Sequence, residues 1–523
     1  MSTGTTHIET RTGVYADSVT LMQISKRLAA LEGITAAQVA MGTPLNIEVL
    51  EGMGLPAPVG TGPNDLVVAL RALDDAARDR ALAELASALT VTASSAGLDG
   101  GDPPPRRTAS ALERAAQASG GSTGTPLVVV SVPGDSAFVE AHDAVTAGSN
   151  VVVFSDNVPV EQEIALKDEA ARRGVLVMGP DCGTAVVSGV GVGFANVVAP
   201  GRVSLVAASG TGAQHLMALL DAAGIGVRHC LGIGGRDMSA AVGGRSASQA
   251  LRALAADPST DLVVVVSKPP DADVAARLRA EADELGVDVV WALLGFGQPD
   301  LTTAAGQVVE HLGLPAVTWP TWGTDASTRP SAPALRGLFV GGTLCDEAMV
   351  IAAESLGEVR SNIPLRPEWA LDVDGAGRWD AGDAHTMVDF GDDRLTEGRP
   401  HPMIDPTLRE ERLLREADDP CVGVLLLDVV LGHGSHPDPA ATLAPAISDA
   451  LRRGGDRGLA VVVSLTGTKG DPQGLERQAA ALAAAGATVH LSNAEAARHA
   501  VQLVPDAVPR KNTATDEPTG GAR

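Results

Sequence analysis

Three glycine-rich turns each follow an apolar run and lead into a helical pattern. Ser209, Gly210, Thr211 and Gly212 follow Val203–Ala207; Gly234 and Gly235 lie in the turn Gly232 to Ser239; Gly342 and Thr343 follow Val340. Side chains this small let backbone N–H groups close on an anion, and a helix starting there adds the positive end of its dipole. Phosphate or carboxylate is the ligand such turns suit. Each turn alone also reads as an ordinary strand-to-helix connection. None continues into the Gly-Lys-Ser/Thr of a P-loop, and none is a dinucleotide-binding turn with an acid about 20 residues on.

The segment Asp389 to Asp405 differs in kind, with five acids, two arginines and one histidine in a single run. Arg394 and Arg399 suit bidentate capture of a carboxylate or phosphate. Asp389 and His401 complete the candidate catalytic set, and a solvated loop of internal salt bridges is the plainer alternative. Two secondary candidates are His433 and His436, in the turn Gly432 to Asp438, as nucleophile or metal ligands. Lys469, after another apolar run, is a candidate anion contact. All three read equally well as exposed loop residues.

These residues need rigid elements to hold them. A chain of 523 residues accommodates three or four domains at about 150 residues each. Hydrophobic residues make up 45% and aromatics 2%, with Tyr15 the only tyrosine, so the cores must be aliphatic. Lysine and arginine number 39 against 64 acids, a net charge of 39 − 64 = −25. That balance argues against nucleic acid, which needs a basic surface, and against an anionic membrane. Four cysteines without a CxxC pair suggest neither zinc nor a disulfide framework, so no metal is expected and a reducing, cytoplasmic location is. The apolar runs are strand-length, far short of the ~20 residues of a membrane span.

Ser-, Gly- and Pro-rich stretches at 92–124 and 318–334 read as linkers, and 508–523 as a polar, disordered tail. Residues 11–91 alternate strand and helix patterns (Ser18–Leu31, Ala37–Met41, Leu66–Leu70, Ala76–Leu89), as in a small ferredoxin-like α+β domain. Apolar runs at 127–132, 151–154, 175–178, 203–207, 262–266 and 289–294 predict parallel strands buried on both faces. Runs at 338–340, 422–427, 459–463 and 488–491 repeat the pattern. The fold class is therefore α/β, with two doubly wound parallel-sheet blocks. Ligands in such sheets bind at the C-terminal ends of strands, where the glycine-rich turns lie.

Residues 125–315 resemble the α subunit of succinyl-CoA synthetase. Met178 to Gly183 is similar to that family's Gly-Pro-Asn-Cys turn, Ala208 to Thr211 to its Ser-Gly-Thr helix entry, and Gly232 to Asp237 to its Gly-Ile-Gly-Gly-Asp turn. Residues 335–505 resemble the C-terminal domain of the β subunit. Over nearly its full length, including Gly13 to Ser18 and Gly398 to Asp405, the chain resembles the FdrA family. The resemblance implies a Rossmann-like, CoA-binding-type domain at 125–200, a flavodoxin-type domain at 201–315 and a β-like domain at 335–505.

Departures from the synthetase restrict the activity the resemblance implies. The synthetase's phosphorylated histidine is absent from the equivalent place, which reads Gly295, Phe296, Gly297 and Gln298. The acid that supports it is replaced near Ser267 to Pro270, and the chain has neither an ATP-grasp domain nor the usual CoA phosphate loop. FdrA-type proteins are similar to a component of an oxamate carbamoyltransferase of allantoin catabolism. The resemblance therefore implies carbamoyl transfer between oxalurate with phosphate and oxamate with carbamoyl phosphate, in a hetero-oligomer with partner subunits. In that reading Ser209 to Ala213 and Gly342 to Leu344 grip phosphate, and Arg394 or Arg399 orients oxamate. A succinate-CoA ligase-like acyl-CoA synthetase, with CoA as cofactor, is one alternative, and a non-catalytic scaffold is the other.

Overall fold

The computed structural model describes residues 5–12, 14, 18–62, 65–95, 108–118, 126–323 and 329–505. The tail 508–523, much of 92–124 and most of the Gly13 to Ser18 motif lie outside them.

The N-terminal unit is an antiparallel sheet of β1 (Thr5–Arg11), β2 (Ile34–Met41) and β3 (Leu66–Ala72), in the order β1-β3-β2. Helices Ser18–Ala29 and Asp75–Ser95 cover one face, where Leu21, Leu28, Val68, Leu70 and Leu85 form a core. Around the opposite-face residues Val67 and Ala69 gather Leu50, of the helix Pro44–Gly52, and Leu55. β1 escapes the sequence reading because TTHIETR carries almost no apolar signal. It forms because it pairs with β3 along its whole length, from Thr5 opposite Ala72 to Arg11 opposite Leu66.

Three short parallel strands come next, β4 (Leu127–Val130), β5 (Asn150–Val153) and β6 (Val177–Met178), in that spatial order. Helices Gly134–Thr146 and Val160–Arg173 connect them. A helix Thr108–Ala118 stands inside the stretch 92–124 that composition reads as linker. Thr108 and Ala109 tie it down by donating to Glu140 (2.5 Å) and Asp143 (2.9 Å).

The next sheet contains β7 (Thr184–Val187), β8 (Val190–Gly193), β9 (Val203–Ala207), β10 (Val227–Gly232), β11 (Leu262–Ser267) and β12 (Val289–Leu293). Its order is β12-β11-β9-β10-β7-β8. The hairpin β7-β8 precedes residue 200, yet it pairs with β10 and so extends this sheet rather than the preceding one. The last sheet contains β13 (Thr321–Trp322), β14 (Ala334–Phe339), β15 (Val359–Arg360), β16 (His385–Asp389), β17 (Val422–Val430), β18 (Ala460–Thr466) and β19 (Thr488–His490). Its order is β13-β19-β18-β17-β14-β16-β15. The chain turns back on itself between β9 and β11 in one sheet and between β14 and β17 in the other. A doubly wound fold opens its ligand crevice at such a reversal.

One continuous core joins the two large sheets. Leu216, Met217 and Leu220 of the helix Gly210–Ala222 lie in the same cluster as Leu344, Ala348 and Met349 of the helix Gly342–Leu356. The first of these helices is buried from Gly212 to Leu220, which explains why its sequence is apolar nearly all round. His215 lies within it; Asn493 N–H donates to its Nε2 (3.2 Å), so its Nδ1–H donates to Thr466 Oγ1 (2.8 Å). Burial pushes its pKa down to about 3.

Candidate functional site

The two reversal points face each other. Ser209 caps the Gly210–Ala222 helix, its Oγ accepting from Gly212 N–H at 2.9 Å, and the same Oγ lies 2.6 Å from Thr343 Oγ1. The contact is reciprocal. A Cβ on Gly212 would stand 3.0 Å from Thr343 Cγ2, and one on Gly341 would stand 3.0 Å from Thr211 Cβ. Two helix starts thus cross at their first turns, where only small residues fit. Each contributes unpaired N–H groups and a positive dipole end.

Carboxyls from the last sheet surround this crossing. Asp428, near the end of β17, accepts from Val340 N–H (2.7 Å), Gly341 N–H (2.9 Å) and Arg409 (3.1 Å). Asp389 closes β16 and accepts from Gly391 N–H at 2.9 Å. A Cβ on Gly342 would meet Asp389 Oδ2 at 2.6 Å and Lys268 Nζ at 3.1 Å, so both groups touch the start of the second helix. Lys268 lies just beyond β11 and pairs with Asp346 across the domain boundary at 3.2 Å. Burial, partly offset by Lys268, raises Asp389 to about 7; burial raises Asp428 to about 6 and Asp346 upward as well. The lysine is lowered by the protein around it, but Asp346 and Asp389 outweigh that and leave it above its ordinary value. His401 joins from the loop behind. Its Nδ1 accepts from Met403 N–H (3.2 Å), so its proton sits on Nε2, and burial lowers its pKa to about 4.

The structure brings together Ser209, Gly210, Thr211, Gly212, Gly342, Thr343, Asp389 and His401. Gly234 and Gly235 serve another contact. A Cβ on Gly234 (φ +89°) would strike Pro180 O at 2.3 Å, and one on Gly235 would stand 3.2 Å from Asp181 Oδ2. Arg394 and Arg399 are exposed, Arg394 with its Nε 3.5 Å from Asp392. His433 is exposed and pairs through its backbone with Ala195. His436 Nδ1 accepts from Asp438 N–H at 3.0 Å. Lys469 N–H donates to Asp221 at 3.0 Å. Asp221 is eleven residues beyond Gly210 on one helix, about 17 Å from the crossing.

Sequence reasoning did not single out Lys268, Asp346 or Asp428. The signals were there for two of them. Lys268 is a charge placed directly after LVVVVS, and Asp428 interrupts VGVLLLDVV, a strand buried at all nine positions. A buried carboxylate inside an aliphatic strand needs specific partners.

The first parallel sheet brings two of its strand-end loops together. The order β4-β5-β6 has no reversal among the described residues. A Cβ on Gly134 would stand 2.3 Å from Asp156 O, so the loops after β4 and β5 touch, and Ser155 Oγ donates to Val132 O at 2.5 Å. Among the described residues, no helix is long and apolar enough to cross a membrane.

Comparison with known proteins adds family context. Residues 338–503 match the CoA-ligase model, and residues 1–104 match the model for the AllF heavy metal-associated domain. Succinate–CoA ligase [ADP-forming] subunit alpha of Methanothermobacter thermautotrophicus is 25% identical over 241 residues, covering 46% of this chain and 75% of that one. Among solved structures, the apo dinucleotide-forming acetyl-coenzyme A synthetase 1 of Ca. Korarchaeum cryptofilum aligns at 15% identity with a TM-score of 0.27, covering 72% of this chain and 84% of that one. Escherichia coli (strain K12) YahF, itself described as uncharacterized, is 37% identical over 499 residues, covering 90% of this chain and 93% of YahF. The chain belongs to the family of YahF, a succinyl-CoA synthetase α-like branch of the CoA-ligases with an AllF-type N-terminal domain.

Proposed function

We propose that the cleft between the crossed helix starts binds the phosphoryl group of an acyl phosphate, and that the chain is the FdrA-type subunit of an oxamate carbamoyltransferase. The 2.6 Å contact between Ser209 and Thr343 carries this reading, because it directs two helix N-termini from separate domains at one point. Such a site stabilises charge that grows on phosphate oxygens as the bond to them breaks. The nitrogen of oxamate attacks the carbamoyl carbon, the carbon–oxygen bond to phosphate breaks, and phosphate leaves with the bonding pair. The nitrogen's proton passes to the departing phosphate, which becomes basic as its bond to carbon breaks. The exposed Arg394 and Arg399 are the proposed anchors for the carboxylate of oxamate. An Arg399→Lys variant should raise the KM for oxamate, since a lysine cannot hold a carboxylate bidentately; an unchanged KM counts against that role.

CoA is the cofactor that a CoA-ligase family implies, and the crevice of the first parallel sheet does not fit it. The loops after β4 and β5 touch there, and Asp135, Asp156 and Glu161 beside them would repel a polyphosphate. A heavy metal-associated domain would imply a soft metal, but no cysteine lies in residues 1–104 to supply thiolate. No step is assigned to either group.

Thermal unfolding with phosphate, carbamoyl phosphate and CoA tests the reading. A ligand at about 100 times its Kd adds about 2.7 kcal/mol to the native state. Stabilisation by phosphate or carbamoyl phosphate, weakened in Thr343→Val, is expected. Stabilisation by CoA alone would favour the acyl-CoA ligase alternative.

A further inference from the structure

At the crossing of the two helices, two dipole ends meet the ammonium of Lys268. A cation beside a helix N-terminus is unfavourable unless negative charge lies between them. In this structure the negative charge is the protein's own. Asp346 holds Lys268 at 3.2 Å, and Asp389 touches the same first turn of the Gly342–Leu356 helix. These carboxyls take the place that an anion would otherwise occupy. The lysine side chain is 45% exposed against 10% for Asp346, so the lysine is the partner that solvent reaches.

We propose that Lys268 is the cation of the anion site, and that it exchanges Asp346 for the ligand's phosphoryl oxygens as a proton from solvent joins the carboxyl cluster. The inference rests on the proposal that this cleft binds phosphate, and it assigns the site its charge-compensating residue. Asp389 is the group best placed to take the proton. Facing it are Lys268 from the end of β11, Cys345 and Asp346 from the Gly342–Leu356 helix, Asp428 from β17, Arg409 from the helix Thr407–Asp418, and His401. When the lysine leaves and an anion arrives, both changes penalise the ionised carboxylate and shift it toward its acid form. Above about pH 7 the empty site holds mainly carboxylate, so binding takes up a proton; well below that it does not.

The experiment is titration calorimetry of the full chain with inorganic phosphate and with carbamoyl phosphate, in two buffers of different ionisation enthalpy. Wild type, Lys268→Met and Asp346→Asn are compared. Wild type is expected to show net proton uptake at about pH 8 that fades by about pH 5.5. Lys268→Met should bind at least about tenfold more weakly, having lost a charge-assisted contact. Asp346→Asn releases the lysine and should bind more tightly than wild type, a gain that a merely structural ion pair would not produce. If Lys268→Met does not fold, Asp346→Asn decides alone. Wild-type binding with unchanged affinity in the variants, or without proton uptake, overturns the inference and leaves the phosphate reading standing. Absence of wild-type binding to either ligand overturns that reading and this inference with it.

Discussion

Asp428 sits at zero exposure inside an aliphatic strand and would be costly there without partners. Two backbone N–H groups and Arg409 supply them, and the geometry that results fixes Val340 and Gly341 at the helix start. Asp389 is less fully matched, and this gives its stability effect a sign. Its carboxyl rises from about 3.9 in an unfolded chain to about 7 in the fold. The stabilisation associated with it is therefore complete below the unfolded value and lost as pH rises through about 7. Asp389→Asn should unfold at higher temperature than wild type at about pH 8 but not at about pH 4.5. Thermal unfolding at both values checks this; a uniform loss at both would mean the carboxylate is needed as an ion. At this scale the sequence was only half legible. Charge density drew attention to Arg394 and Arg399, which stand in solvent, whereas Lys268, a lone charge after an apolar strand, reaches the helix start.

Elements were more legible than residues, because aliphatic runs report burial on both faces directly. The runs at 203–207 and 262–266 correspond to β9 and β11, and the glycine turn after Ala207 does start a helix. What periodicity could not supply is which helix ends meet, since that depends on strand order in two different sheets. Polar elements were also missed, β1 and Thr108–Ala118 among them, because they owe their form to pairing and hydrogen bonds rather than to apolar pattern. The turn containing Gly234 shows a third mechanism. Lys167, buried in the Val160–Arg173 helix, lies 2.7 Å from both Glu163 and Asp237 and donates to Ile233 O at 3.1 Å. This network fastens the first parallel sheet's helix to the end of β10. Lys167→Met removes the cation between two buried carboxylates, leaving Glu163 with Arg236 (3.0 Å) and Asp237 with the N–H groups of Ser246 and Ala247 (3.0 Å each), and should cost about 3–5 kcal/mol, read from denaturant unfolding. A loss under about 1 kcal/mol would mean the carboxyls repair the site by taking protons.

Across the whole molecule, the N-terminal unit is seated on the loop that carries His401. Lys26 donates to Ile404 O at 3.1 Å and lies 3.6 Å from Asp405. Gly398 (φ +69°) lies so close to the Pro44–Gly52 helix that a Cβ there would strike Val49 Cγ2 at 2.2 Å. Gly398→Ala should therefore lift this unit, seen as faster amide exchange over 44–52 and 398–405 with β17 and β18 unchanged. Equal exchange in variant and wild type would show that the contact is not needed for seating.

The shared core between the two large sheets has a consequence for dilution. The walls that present Ser209 and Thr343 belong to one polypeptide, and covalent linkage keeps their mutual concentration in the millimolar range or above. Their meeting is a unimolecular event, so the proportion of molecules with an assembled cleft is the same in a crowded cell and in a nanomolar assay.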